Sequence, residues 1–191
     1  GRAPRVDVGN GMYHIINRAN ARLQLFFKEK DYKLLESIIK DGAEKLDTRV
    51  IAYCLMPNHF HLVVWTREDG ELQKYMQWVT LTHTQRWHVQ NKTTGHGHLY
   101  QGRYKSFIIE DDKHLFTVMR YVERNPLRAK IVKNLSNWKY SSFVNREDKK
   151  TFVTKPPISL PGHYNTLVHT PLTADEIDSV RYSVNKGKPF G

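Results

Sequence analysis

Residues 49–66 read RVIAYCLMPNHFHLVVWT, and this stretch decides the fold. Its two halves are rich in β-branched, aromatic and other apolar residues, and Pro57 and Asn58 between them are typical of a turn. The stretch therefore predicts a β-hairpin, with one strand at residues 49–56 and the next at residues 59–66.

The second half of this hairpin contains two histidines. His59 and His61 alternate with Phe60 and Leu62, and successive side chains of a strand point to opposite faces, so both imidazoles are expected on one face. Side chains two positions apart are separated by roughly 6–7 Å along the strand and can converge on one metal ion. Half-exposed strand histidines without a ligand are the alternative. A similar triplet at residues 96–98 has a central glycine and lies in a predicted loop, so no metal site is expected there.

Hydrophobic spacing outside the hairpin completes the order of elements. Strands are predicted at residues 13–18 and 99–109, and helices at residues 31–46, at residues 72–87, and from Asp111 or Asp112 to just before Pro126. The β-α-β-β-α-β order predicts an α+β protein with the ferredoxin-like split βαβ arrangement, an antiparallel sheet with helices on one face. The helix that begins at Asp111 or Asp112 is additional to that arrangement.

Residues 146–191 are expected to form a C-terminal extension, because the hydrophobic pattern loosens beyond about residue 132. Thr173 and Glu176 have the spacing of a capping box, so a terminal helix is predicted to begin there and to stop at Gly187. The domain at residues 1–145 would then carry the function.

The chain of 191 residues has 30 Lys and Arg against 19 Asp and Glu, a formal net charge of +11. Such a chain is expected to attract a polyanion such as nucleic acid, although a basic protein without that partner would have the same composition. Its apolar runs are far shorter than the roughly 20 residues that cross a bilayer, so no membrane partner is expected. The lone Cys54 cannot form an internal disulfide, and no apolar block follows the first basic residues, so a cytoplasmic location is predicted.

Tyr121 and Asn125 are four residues apart in the predicted additional helix, so they share one helical face. A phenol with its usual pKa of about 10 is a poor nucleophile, but a nearby divalent cation can polarise the phosphate that it attacks. The amide oxygen of Asn125 is a candidate third ligand beside the two imidazoles. A packing role describes most tyrosines, and the spacing does not single out one of the 10 in the chain.

Four blocks, in order, resemble the bacterial REP-associated tyrosine transposases, which belong to the single-tyrosine HUH transposase superfamily. They are residues 11–18, 51–64, 101–106 and 120–129, within a similarity that spans about residues 4–145. The resemblance implies that His59 and His61 are the metal ligands, that Tyr121 is the nucleophile, and that the metal is Mg²⁺ or Mn²⁺. Related insertion-sequence transposases have a glutamine four residues after the tyrosine, where this chain has Asn125.

The resemblance also implies an activity and a partner. The chain would be a metal-dependent single-stranded DNA endonuclease and strand transferase that forms a 5′-phosphotyrosine intermediate. Its partner would be single-stranded or hairpin DNA of a repeat sequence. It would act in the bacterial cytoplasm at the nucleoid, as a monomer or a homodimer.

Basic side chains flank the predicted elements and are candidates for contacts with DNA phosphates. They are Arg2, Arg5, Arg18, Arg103, Lys105, Arg124 and Arg128. By the resemblance, the arm with Arg2 and Arg5 reads part of the hairpin. Tyr104 is expected to be an exposed aromatic that could stack on an unpaired base. The alternative for each arginine is a solvated surface. His14 either lies near the metal site or is a hydrogen-bonded strand histidine.

Two other functions are open at this point. A metal-dependent phosphodiesterase that uses activated water would form no covalent intermediate, and the paired H-x-[ST] motifs of one such group are not seen in the sequence. A domesticated hairpin-binding regulator would keep the fold and the charge without turnover, although binding alone does not need His59, His61 and Tyr121. A metal-dependent nicking assay on a labelled hairpin strand distinguishes the three functions.

Overall fold

The computed structural model describes residues 6–148 and 150–190. The predicted DNA contacts Arg2 and Arg5 therefore lie outside the described residues. In chain order the strands and helices are β1 (Met12–Arg18), α1 (Glu29–Leu46), β2 (Arg49–Met56), β3 (His59–Trp65), α2 (Glu71–Gln90), β4 (Lys105–Ile109), α3 (Asp112–Glu123), α4 (Asn125–Arg128), α5 (Ser142–Asn145), α6 (Tyr164–His169) and α7 (Ala174–Lys186). No helix in the described part of the chain combines the length and the apolar character that a membrane span needs.

Four antiparallel strands form one sheet in the order β2-β3-β1-β4. Within it, Ile16 of β1 is opposite His61 of β3 on one side and opposite Lys105 of β4 on the other. β2 and β3 pair as the predicted hairpin, with Met56 opposite His59 next to the turn. The predicted α+β class and the ferredoxin-like order of elements are confirmed.

Helices cover both faces of the sheet. α1 lies on one face, together with α2, and Tyr53 of β2 donates a hydrogen bond of 2.8 Å to Glu36 of α1 there. Cys54, the next residue of β2, points to the opposite face and is paired with His61. The ring of Tyr121 in α3 lies against His61. α1 and α2 are thus the helices of the ferredoxin-like arrangement, and the additional helix α3 covers the second face.

The predicted strand at residues 99–109 is wrong in its first half, since only Lys105–Ile109 pairs as β4. Leu99 and Tyr100 are buried beside the end of the sheet. The hydroxyl of Tyr100 is hydrogen-bonded to His83 of α2, which holds this segment under the helix. Burial against α2 explains the apolar character that had indicated a longer strand.

α3 ends before Pro126, as predicted, and a separate helical turn follows it. α3 ends at Glu123 and α4 adds one further turn, with Pro126 in that turn's first positions. A proline is tolerated there because its missing N–H would have no intrahelical partner. The side-chain amide of Asn125 donates hydrogen bonds to the carbonyls of Tyr121 and Val122, and these bonds connect α4 to the end of α3.

The caps of α3 and α7 are those that the sequence predicts. Asp111 is the cap of α3 and accepts a hydrogen bond from the backbone N–H of His114. Thr173 and Glu176 form the predicted capping box of α7. Gly187 ends α7 with a φ of 64°, a left-handed conformation that glycine adopts without steric cost. The predicted terminal helix is therefore confirmed.

A buried carboxylate joins α3 to the C-terminal segment. Glu123 is fully buried and accepts hydrogen bonds from the hydroxyls of Ser142 and Tyr164 and from the guanidinium of Arg146. These donors replace the hydration that the carboxylate loses on burial. The C-terminal segment thus packs directly on the helix that covers the second face. The domain boundary after residue 145 stays a prediction.

Candidate active site

Three histidines lie on the α3 face of the sheet. His59 and His61 share this face of β3, as the alternation predicts, and His14 of β1 lies beside them, opposite Val63 in the register. A hydrogen bond of 2.8 Å joins Nε2 of His14 to Nδ1 of His61. The ring centroids of His59 and His61 are 5.1 Å apart. His14 is therefore both near the predicted ligands and hydrogen-bonded within the sheet.

Burial keeps these imidazoles neutral. It lowers the pKa of His14 to about 3 and, with contributions from the charges of Arg18 and Arg128, lowers the pKa of His59 to about 4. Burial also lowers the pKa of His61 well below its usual value. At neutral pH each ring therefore has one N–H and one lone pair, which is the form of histidine that binds a metal.

The hydrogen bonds of the two predicted ligands show which nitrogens are available. Nδ1 of His59 is 2.7 Å from Oδ1 of Asn58, and an amide oxygen only accepts, so Nδ1 carries the proton and Nε2 the lone pair. Nε2 of His61 is buried and has no hydrogen-bond partner within the described residues. Each histidine thus uses Nδ1 for a hydrogen bond within the described residues, which leaves Nε2 as its candidate ligand atom.

α3 brings Tyr121 to these histidines. Its ring centroid lies 6.0 Å from that of His14 and 6.0 Å from that of His61, and its side chain is only 6% exposed. The guanidinium of Arg128, on α4, lies 4.5 Å from the same ring centroid. The structure therefore brings a phenol from a helix to the imidazoles of His14 and His61, and the ring of His59 lies beside that of His61.

Asn125 lies next to this group, but its polar atoms are engaged locally. Its Oδ1 accepts a hydrogen bond of 2.7 Å from Arg128, and its Nδ2 donates to the backbone carbonyls of Tyr121 and Val122. The side chain is only 2% exposed. The oxygen that would ligate a metal is thus held by Arg128, and the metal-ligand role of Asn125 stays a prediction.

The donor set fits a divalent cation whose coordination sphere is completed by other molecules. The unpartnered, buried Nε2 of His61 favours a ligand at this point, because buried polar atoms usually have a partner. No group of three or more His, Cys, Asp or Glu side chains in the described ranges is arranged to hold a metal. Water and substrate oxygens would have to supply the further ligands, and the choice of Mg²⁺ or Mn²⁺ stays a prediction.

Three of the predicted DNA-binding cations lie around this site. The charges of Arg18 and Arg128 both act on His59 and His61. Lys105 is exposed on β4 opposite Ile16, in the row of the sheet that also contains His61. These three exposed cations form a basic border around the histidine cluster.

Other predicted contacts are placed differently. Arg103 is exposed in the loop before β4. Arg124 turns toward α6, where it donates to the carbonyls of Val168 and His169, so the structure does not bring it to the site. Tyr104 is 8% exposed, so the expectation of an exposed stacking platform is wrong, because its ring belongs to the core.

Asn58, which holds His59, was not singled out from the sequence, and the role of His14 was left open between two alternatives. Asn58 directly precedes His59 at a predicted turn, where a short polar side chain commonly bonds to its neighbours, and this signal could have identified it. His14 had no comparable signal, because its contact with His61 depends on how β1 pairs with β3. The second triplet, at residues 96–98, lies in an exposed loop.

Residues 7–125 match the family model of the IS200-like transposases. The chain belongs to the IS200-like transposase family. The chain is 25% identical over 117 residues to a Haemophilus influenzae protein provisionally named as a REP-associated tyrosine transposase. The aligned residues are 56% of this chain and 65% of the length of that relative.

The fold of this member of the family is shared with a solved structure of a REP-associated tyrosine transposase bound to a REP hairpin. The two superpose with a TM-score of 0.64 at 17% sequence identity, over 91% of this chain and 99% of the other. Because the family model ends at residue 125, this coverage means that the likeness of fold includes much of the C-terminal segment.

Proposed function

We propose that this member of the IS200-like transposase family is a metal-dependent endonuclease and strand transferase that acts on hairpin-forming repeat DNA through a 5′-phosphotyrosine intermediate. The observation that carries the proposal is the packing of the Tyr121 ring against His61, whose ring lies beside that of His59 on the same face of the sheet. A phenol beside two neutral imidazoles combines a nucleophile with metal ligands, and this combination suits phosphoryl transfer.

Charge and family support DNA as the substrate. The net charge is +11, and exposed Arg18, Lys105 and Arg128 border the histidines. Such a border would position the phosphates of a single strand next to the phenol. The solved structure that shares this fold has a REP hairpin bound, which supports a hairpin with an unpaired segment as the substrate.

His59 and His61 would hold the metal through their Nε2 atoms. A bound Mg²⁺ or Mn²⁺ would polarise a phosphate oxygen and offset the charge that develops there in the transition state. Asn125 would join the two histidines once its oxygen is released from Arg128. That release would follow if a DNA phosphate takes the place of the amide oxygen on the guanidinium.

The reaction exchanges one phosphate ester for another. The Tyr121 oxygen attacks the phosphorus atom, the bond to the 3′ oxygen breaks, and the DNA 5′ phosphate stays on the tyrosine. The phenol loses a proton and the departing 3′ oxygen gains one. Attack by a second 3′-hydroxyl reverses these steps and joins strands, so no nucleotide cofactor is needed. The cation of Arg128 beside the ring would favour the negative charge that develops on the oxygen as the proton leaves.

The decisive experiment follows a 5′- or 3′-labelled hairpin strand on denaturing gels. Wild-type protein with Mg²⁺ or Mn²⁺ is expected to nick the strand and to become covalently attached to it, and EDTA is expected to abolish both. Tyr121→Phe should bind the strand with nearly unchanged affinity and form no adduct. Tyr182→Phe is the matched control, because Tyr182 is exposed on α7.

Each other outcome rejects the proposal in a different way. Undiminished adduct formation by Tyr121→Phe would exclude Tyr121 as the nucleophile. Nicking without any adduct would indicate a phosphodiesterase that uses water. Tight hairpin binding without nicking in either metal would indicate a regulator that has lost turnover.

A further inference from the structure

His14 is a buried imidazole for which the proposed chemistry has no use. It lies on the interior strand β1, it is 1% exposed, and its Nε2 is 2.8 Å from Nδ1 of His61. The two rings are within 13° of parallel. Since the lone pair of an imidazole nitrogen lies in the plane of its ring, this orientation lets an N–H of one ring point at a lone pair of the other.

The bond between the two rings restricts their tautomers. Each neutral imidazole has one N–H and one lone pair, and the shared bond uses one of each. The two remaining nitrogens, Nδ1 of His14 and Nε2 of His61, have no partner within the described residues. If His61 donates through Nδ1, its Nε2 carries a lone pair and His14 is protonated on Nδ1. If His14 donates instead, Nε2 of His61 carries a proton and cannot bind a metal.

The ring of His14 is held in place by its neighbours. The ring of Phe107 on β4 meets it edge to face at 4.8 Å between centroids, and the ring of Tyr121 lies 6.0 Å away on the α3 side. His14 is also diagonal to His61 across the β1–β3 pair, so two paired strands fix the distance between the rings. The acceptor for His61 is therefore provided by a rigid part of the sheet.

We propose that His14 is a positioning residue that accepts the Nδ1 proton of His61 and so fixes the tautomer in which Nε2 of His61 binds the catalytic metal. This inference rests on the metal site of the proposed function. It gives each ligand its own partner, because Asn58 accepts from Nδ1 of His59 in the same way. Partners of this kind orient a metal-bound imidazole, and their loss typically weakens metal binding roughly 10- to 100-fold.

The first test measures metal affinity in the full chain without DNA. Mn²⁺ titrations followed by the electron paramagnetic resonance of the free ion compare wild type, His14→Leu and His14→Gln. His14→Leu removes the acceptor and is expected to weaken Mn²⁺ binding roughly 10- to 100-fold, whereas the amide oxygen of His14→Gln can accept the proton and should retain most of the affinity. His83→Leu is the matched control, since His83 is a buried histidine of α2, on the other face of the sheet.

The second test needs no substitution. In zinc-loaded wild-type protein labelled with ¹⁵N, His14 is expected to be protonated on Nδ1, with a scalar coupling between its Nε2 and Nδ1 of His61 across the hydrogen bond. A His14 ring protonated on Nε2 would overturn the proposal, and so would His14→Leu binding Mn²⁺ as tightly as wild type. Wild-type protein without measurable affinity for Mn²⁺ or Zn²⁺ would instead reject the metal site itself, and the positioning role with it.

Discussion

The guanidinium of Arg128 lies 4.5 Å from the ring centroid of Tyr121, and it also donates a hydrogen bond of 2.7 Å to Oδ1 of Asn125. One side chain of α4 therefore contacts both residues of this helical segment that the proposed chemistry uses. Arg128 lies in α4, whose first turn contains Pro126. The contact therefore depends on the fact that a helix accepts proline in its first turn.

Replacing Arg128 with Gln removes the charge beside the phenol. We expect the single-turnover rate of adduct formation on the hairpin strand to fall about 100-fold, the size of effect that follows the loss of one positioned donor to a developing charge. Arg124→Gln is the control, because Arg124 is bound to the backbone of α6 and does not reach the site. An equal fall in both variants would show that the effect is not specific to the Tyr121 contact.

Arg103 is an exposed cation in the loop before β4 and should contact a phosphate. Arg103→Ala is expected to weaken hairpin binding and to flatten the slope of log K against log salt by roughly 0.7–0.9. The measurement is a fluorescence anisotropy titration at several salt concentrations. Arg181→Ala, which removes an exposed cation paired with Asp178 on α7, should leave the slope unchanged. An unchanged slope for Arg103→Ala would exclude that contact.

Glu123 is the buried acceptor that joins α3 to the C-terminal segment. Glu123→Ala leaves the guanidinium of Arg146 without its partner, so the free energy of unfolding is expected to fall by about 3–5 kcal/mol. Urea denaturation measures this change. Glu44→Ala, which removes an exposed ion pair with Lys40 on α1, should cost less than about 1 kcal/mol. Similar losses in the two variants would contradict the importance of the buried pair.

The pH dependence of stability should reflect His83. Burial lowers its pKa to about 3, whereas the unfolded chain titrates near pH 6.5. As the pH falls below 6.5, the unfolded state binds more protons than the folded one. Neutral His83 therefore makes its full contribution to the free energy of unfolding above pH 6.5. As the pH falls from 6.5 toward 3, the free energy of unfolding decreases by up to about 1.4 kcal/mol per pH unit.

His83→Gln removes this titration. The variant should be less stable than wild type at pH 7, because the hydrogen bond to Tyr100 is altered. Its free energy of unfolding should nevertheless fall less steeply than that of wild type between pH 6.5 and pH 4.5. Urea denaturation at several pH values measures both slopes, and parallel slopes would contradict the prediction.

Much of the fold could be predicted because the relevant patterns are local. The alternation of His59 and Phe60 and the turn at Pro57 determine a hairpin without reference to the rest of the chain. The strand predicted at residues 99–109 shows where this reasoning fails. Leu99 is apolar because it packs at the end of the sheet, and burial against a helix gives the same composition as strand pairing.

In the candidate site, too, the local features could be predicted and the contacts between distant segments could not. Backbone geometry places His59 and His61 on one face of any strand with this sequence, since the side-chain period of a strand is two. Spacing does not show which of the 10 tyrosines lies at the site, nor that His14 contacts His61. Both facts depend on which distant segments pack together. The pairing of β1 with β3 and the packing of α3 on the second face determine those contacts. Interactions between residues far apart in the chain follow from the packing of whole elements, so they leave no periodic signal in the amino-acid order.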